Sequence, residues 1–95
     1  MITVTAPLQL WSGEGGSWHM FEIPEAQSAE IRAHALGTPR GFKSVKVEAA
    51  IGTVTWRTSV FPMRNGGYFL PVKAEVRRKA AVAVGDKVTV ELELL

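Results

Sequence analysis

Val45-Lys46-Val47-Glu48-Ala49-Ala50-Ile51-Gly52-Thr53-Val54-Thr55-Trp56-Arg57-Thr58-Ser59-Val60 is the stretch that decides the fold. Apolar and polar residues alternate on both sides of a single glycine. Period two is the signature of a half-buried strand. Two such runs around a tight turn make a β-hairpin. Taking Ile51-Gly52 as a two-residue loop pairs Val47 with Trp56, Ala49 with Val54 and Val45 with Thr58 on the apolar side. On the polar side the same register sets Lys46 opposite Arg57 and Ser44 opposite Ser59. Like charges directly opposed are mildly destabilising. Solvation of two splayed side chains is the simplest relief of that opposition, with Glu48 on the diagonal or a bound anion as the others.

The alternation continues outward. Ile2, Val4, Ala6, Leu8 and Leu10 alternate with Thr3, Thr5, Pro7 and Gln9, and Pro7 points to an edge or a bulge. Trp18–Ile23 reads as a strand with apolar residues on both faces. Asn65-Gly66-Gly67 is a turn signal, followed by a short strand over Gly67–Val72. Val88, Val90, Leu92 and Leu94 mark a last strand. Ser12–Ser17 is glycine-rich and reads as a flexible hairpin loop between strands. It lacks the Lys-Ser/Thr of a phosphate loop, and a strand follows it rather than a helix.

Two segments read as helices. Glu25–Leu36 follows Pro24 and stops at Gly37, with Ala29, Ala33 and Leu36 on one face. Lys73–Val82 follows Pro71, with Val76 and Ala80 as a thin apolar stripe. Six strands and two helices in 95 residues predict an all-β fold. The expected architecture is a small six-stranded, double-split-like β-barrel with two short α-helices, forming one domain over residues 1–95. Closure removes exposed strand edges.

The residues that build this pattern also resemble a family. Arg40-Gly41-Phe42-Lys43-Ser44-Val45-Lys46-Val47, Ile51 to Pro62, Gly67-Tyr68-Phe69-Leu70-Pro71-Val72-Lys73-Ala74, Val76-Arg77-Arg78-Lys79 and Gly85 to Val90 are similar to domain of unknown function 1905. Trp56 to Pro62 is the most specific part. The resemblance implies a small barrel, similar to the double-split barrels of dimeric bacterial DNA-binding regulators and antitoxins. It carries no activity. Where that family often has Gly after its basic helix, this chain has Ala81. Alanine resists the left-handed conformation glycine adopts there. The helix is therefore expected to run longer or to end differently.

Composition is that of an ordinary globular domain, with 46% apolar and 21% charged residues. With no cysteine, disulfides, thiolate metal sites and cysteine nucleophiles are excluded. No apolar run is long enough to span a membrane as a helix. The N-terminal residues do not read as a signal peptide, so a cytoplasmic location is expected. His19, His34 and the lone aspartate Asp86 give no hydrolytic triad, because Asp86 after Gly85 reads as a turn residue. Glu91 and Glu93 read as the polar face of the last strand. No cofactor and no metal are expected.

Charge distribution is the most informative feature. The net charge is +2 overall, but residues 32–79 alone carry +8. Such a basic middle suggests a patch if its members meet in space. Lys73 and Arg77, four apart, share a helix face. The aromatics could stack bases, but Trp56 faces inward and reads as core. Tyr68 and Phe69 point to opposite faces, and Trp11 falls on the polar side of its strand, at a barrel end or an interface. The resulting expectation is a non-catalytic module that binds a small anionic ligand. Its candidate residues are Lys46, Arg57, Ser59, Tyr68, Lys73 and Arg77. The alternative is a nucleic-acid-binding or protein-interaction domain, monomeric or homodimeric.

Overall fold

The computed structural model describes residues 1–37 and 44–95. Arg40, Phe42 and Lys43, which belong to the basic middle or the aromatic set, lie outside the described residues. The elements run β1 (Ile2–Gly13), β2 (Gly16–Ile23), α1 (Glu25–Leu36), β3 (Val45–Ile51), β4 (Val54–Pro62), β5 (Tyr68–Pro71), α2 (Ala74–Ala80) and β6 (Lys87–Leu94). The six strands close into a barrel in the order β1-β2-β5-β4-β3-β6, each pair antiparallel.

Closure depends on β1. Its first half, Ile2 to Pro7, pairs with β6, and its second half, Leu8 to Gly13, pairs with β2. Pro7 is the last β1 residue in the β6 ladder. Proline has no N–H to donate, so it suits the point where one ladder ends and the next begins. Ile2, Val4, Ala6 and Leu8 face the interior and are buried, as alternation predicts. They meet Val47, Ala49, Val60, Val88, Val90 and Leu92 in one core. The expected loop over Ser12–Ser17 is shorter than its composition suggests. The strands run on to Gly13 and Gly16, leaving only Glu14-Gly15 as the turn.

The central hairpin closes one step later than the sequence suggests. Its turn is Gly52-Thr53, with Gly52 at φ +59°. A positive φ at the first turn position is what a type II′ hairpin assigns to glycine. The register therefore pairs Ala49 with Trp56, Glu48 with Arg57, Lys46 with Ser59 and Val45 with Val60. The expected Lys46–Arg57 opposition does not exist. A slip of two residues keeps every side chain on its face, so the hydrophobic pattern is blind to it. Small Ala49 now lies opposite bulky Trp56, and Glu48 lies opposite Arg57.

Helix α1 docks through a different face from the expected one. Ser28, Ile31 and Ala35 are fully buried, whereas Ala29, Ala33 and Leu36 are exposed. The reason is Ser28. Its hydroxyl donates to the Ile23 carbonyl at 3.1 Å and accepts from the Tyr68 N–H at 3.2 Å. A buried hydroxyl with both roles filled is stable in a core. It clamps the end of β2 and the start of β5 to α1. At the surface, Arg32 donates to the Gly66 carbonyl and to Glu25 at 2.7 Å. The hydrogen bond from Arg32 holds the Glu25 carboxyl below its usual range.

Helix α2 follows the other end of β5 and buries Val76. It ends at Ala80 and does not run on. Ala81 itself takes the left-handed conformation, φ 55° and ψ 46°. The Val82 N–H reaches the Arg77 carbonyl and the Ala81 N–H the Arg78 carbonyl, the paired bonds of a Schellman ending. Helix-ending geometry has thus prevailed over alanine's preference.

Two stability outcomes follow. Ala81→Gly should stabilise the fold by about 0.5–1 kcal/mol, because glycine meets no steric penalty at positive φ. Urea denaturation measures it, and an unchanged or lower midpoint would show that Ala81 is not held left-handed. Ser28→Ala should destabilise by about 1–3 kcal/mol by stranding the buried Tyr68 N–H. A loss below ~0.5 kcal/mol would contradict the clamp.

Candidate functional site

Alternation places Trp56 and Thr58 on the inner side of β4 and Arg57 and Ser59 on the outer side. Helix α2 packs against β4. Where they meet, a cleft of about 230 Å³ is lined by Trp56, Arg57, Pro71, Lys73, Glu75 and Val76 among others. Trp56 is half-buried and packs against the core. Its Nε1 is buried and is the one buried side-chain polar atom among the described residues without a hydrogen-bond partner. Leaving such a donor unpaired costs about 1–3 kcal/mol. Indole N–H groups that are buried usually find an acceptor.

Two cations, Arg57 and Lys73, line the same cleft as Trp56. Arg57 is largely exposed and lies 3.7 Å from Glu48 (Nε to Oε1), a loose surface contact worth little. Lys73 is the residue just before α2 and is exposed. The one acid in the lining is Glu75, which accepts from Lys79 at 3.1 Å along the helix. The cleft therefore combines two positive groups with apolar walls from Pro71, Val76 and Trp56, and the unpaired Nε1 belongs to one of these lining residues while itself being shielded from solvent.

The six residues singled out from the sequence do not form one cluster. Arg57 and Lys73 share the cleft just described. Lys73 and Arg77 share a second cleft of about 310 Å³, with Trp18, His19 and Val72. Arg77 is partly committed there, since its Nη1 donates to the Val72 carbonyl at 2.7 Å and ties α2 to the end of β5. Lys46 and Ser59 face each other across the β3–β4 ladder and line neither cleft. Tyr68 is 1% exposed and belongs to the core. Phe69, on the opposite face as alternation requires, stacks on Phe61 with ring centroids 5.7 Å apart.

Other features of the surface carry less. A cleft of about 360 Å³ has Glu22 and Glu25 in its lining and, among the described residues, no basic side chain. Glu48, Glu91 and Glu93 line a groove of about 210 Å³ across β3 and β6. Asp86 acts as a turn residue, its Oδ2 accepting the Ala83 N–H at 2.9 Å. Trp11 pairs directly with Trp18 across the β1–β2 hairpin, ring centroids 4.4 Å apart, and both remain exposed.

Trp56 was legible as core but not as a site residue. Period two reports a face, and nothing in it reports whether an indole N–H finds an acceptor.

Fold and cleft together define a small closed β-barrel domain with one helix against each end of its shortest strand. The family model described as Domain of unknown function (DUF1905) matches residues 5–92, and the chain belongs to that family. The resemblance read from the residues is thereby borne out. No curated protein matches the chain. Among the described residues, no helix is long and apolar enough to cross a membrane.

Trp56→Phe deletes the unpaired N–H together with part of the indole ring, so relief of the unpaired donor and loss of packing oppose each other. Folding stability should change by less than about 1 kcal/mol in urea denaturation, since no hydrogen bond is lost. A loss above ~2 kcal/mol would show that packing of the full indole, or a hydrogen bond at Nε1, outweighs the relief of an unpaired donor.

Proposed function

We propose that the chain is a non-catalytic module that binds a small organic anion in the cleft between β4 and α2. The observation that carries this reading is the meeting of Arg57 and Lys73 in one apolar-walled cleft, whose lining also includes Trp56 with a buried Nε1 that has no partner among the described residues. A ligand oxygen would supply the acceptor that the fold does not. Negative charge on that oxygen would be favoured by both cations, and charge-assisted hydrogen bonds are the stronger kind. Lys46 and Arg57 do not oppose each other in the β3–β4 ladder. Arg57 and Lys73 share the cleft instead, from a strand and from the lead-in to the helix.

The alternatives have less support. A nucleic-acid surface needs a run of free cations along a groove. Here Arg32 is tied to Glu25 and Gly66, Lys79 to Glu75 and Arg77 to Val72. The protein-interaction reading rests on exposed Leu10, Trp11 and Trp18 at one hairpin, a patch of the sort that marks interfaces.

A thermal-shift series over small carboxylates, phosphates and one oligonucleotide tests the reading. An anion at a hundred times its dissociation constant should add about 2.7 kcal/mol to the wild-type protein. Arg57→Gln and Lys73→Gln should each reduce that gain. Stabilisation untouched by both substitutions would sink the proposal. Stabilisation by the oligonucleotide alone, abolished by salt, would favour the nucleic-acid reading.

A further inference from the structure

We infer that the ligand of the β4–α2 cleft is a small monocarboxylate with an apolar body. This rests on the anion-binding reading above and gives that ligand its chemical class.

Charge comes first. Arg57 and Lys73 stand against Glu75 in the lining, a balance of one positive charge. Glu75 already serves Lys79, and Glu48, the partner of Arg57, lies outside the lining. A monoanion neutralises this cleft. A phosphate dianion would bring surplus negative charge close to Glu75, and like charges at short range are unfavourable.

Donor chemistry points the same way. Trp56, a lining residue whose Nε1 is unpaired, would offer a single neutral indole N–H to a ligand that reaches it. That donor suits one oxygen of a two-oxygen group, and the guanidinium of Arg57 is a fork suited to a carboxylate. Sites for terminal phosphates commonly gather several backbone N–H groups in a glycine-rich loop. The glycine-rich stretch Ser12–Ser17 instead forms the β1–β2 hairpin with its Glu14-Gly15 turn, and among the described residues no glycine lines the cleft.

The walls and the size select the body. Pro71, Val76 and the indole ring of Trp56 present apolar surface, which an inorganic ion would leave uncovered. A hydrocarbon or aryl group attached to the carboxylate would cover it, adding about 25 cal/mol per Å² of apolar area removed from water. The volume, about 230 Å³, is below the ~300–1,000 Å³ typical of sites for drug-sized molecules. Benzoate and pentanoate have the right character. A nucleotide is too large and too highly charged.

The test is calorimetric titration of the folded protein with benzoate, pentanoate, inorganic phosphate and adenosine monophosphate. It uses wild type, Trp56→Phe, Arg57→Gln and, as a remote control, Lys87→Gln. Circular dichroism confirms that each variant is folded. The two carboxylates should bind wild type at least about tenfold more tightly than either phosphate compound. Trp56→Phe and Arg57→Gln should each weaken carboxylate binding by roughly tenfold, the scale of one charge-assisted hydrogen bond. Lys87→Gln should leave it unchanged. Phosphate binding that exceeds carboxylate binding and falls in Arg57→Gln would overturn the carboxylate assignment and leave the anion site standing. Carboxylate binding that survives both substitutions would place the ligand elsewhere. No binding by any of the four would overturn this inference together with the reading beneath it.

Discussion

Everything in this barrel hangs on one strand serving two partners in succession. β1 gives its first six residues to β6 and its last six to β2. Without that hand-over at Pro7, β6 and β2 would each keep an open edge. With it, the sheet closes and one face of every strand turns inward. Closure then sets the positions of the remaining parts. β5 is four residues long, so α1 and α2 come to its two ends. Ser28 fixes the first of these junctions and the Arg77–Val72 bond the second. The cleft beside β4 is a by-product of the second junction.

The faces of the strands were legible in the sequence because side-chain direction repeats every two residues. Inward-pointing Val47, Ala49 and Val60 are buried as the pattern requires. The cross-strand partners were not legible to the same degree. Moving the turn from Ile51-Gly52 to Gly52-Thr53 changes every partner and no face, so only turn chemistry can decide it. In α1 the buried face was misread for a related reason. Apolar residues at helical spacing suggested Ala29, Ala33 and Leu36, but the face that packs contains Ser28. A hydroxyl that finds both a donor and an acceptor is as acceptable inside as a methyl group, and spacing alone cannot show it. Ala81 is the third case. A local preference against positive φ costs about 1–2 kcal/mol, less than the two carbonyl bonds and the packing of Val76 and Val82 hold in place.

The candidate site was legible in part. Arg57 and Lys73 could be singled out because a basic middle of the chain is visible without a structure. Their convergence could not be seen, since it depends on α2 returning against β4. Lys46 is a candidate in the sequence through its expected opposition to Arg57, and Ser59 and Tyr68 by position and residue type; the fold sends them to the outer ladder and the core. Trp56 was assigned to the core by alternation. It packs there, yet its Nε1 has no partner among the described residues. A residue can fill a packing position and still present an unmet donor.

The central claim is that the Trp56 Nε1–H awaits an acceptor from outside the fold. Its proton resonance tests this most directly, in a nitrogen-correlated spectrum of the three indoles, with the Trp56→Phe spectrum identifying the peak. On titration with benzoate that peak should move downfield and saturate, as a new hydrogen bond requires, while the Trp11 and Trp18 indole peaks stay in place. An indole peak for Trp56 that does not move while benzoate binds, or that already has the shift of a hydrogen-bonded indole in the free protein, would contradict it.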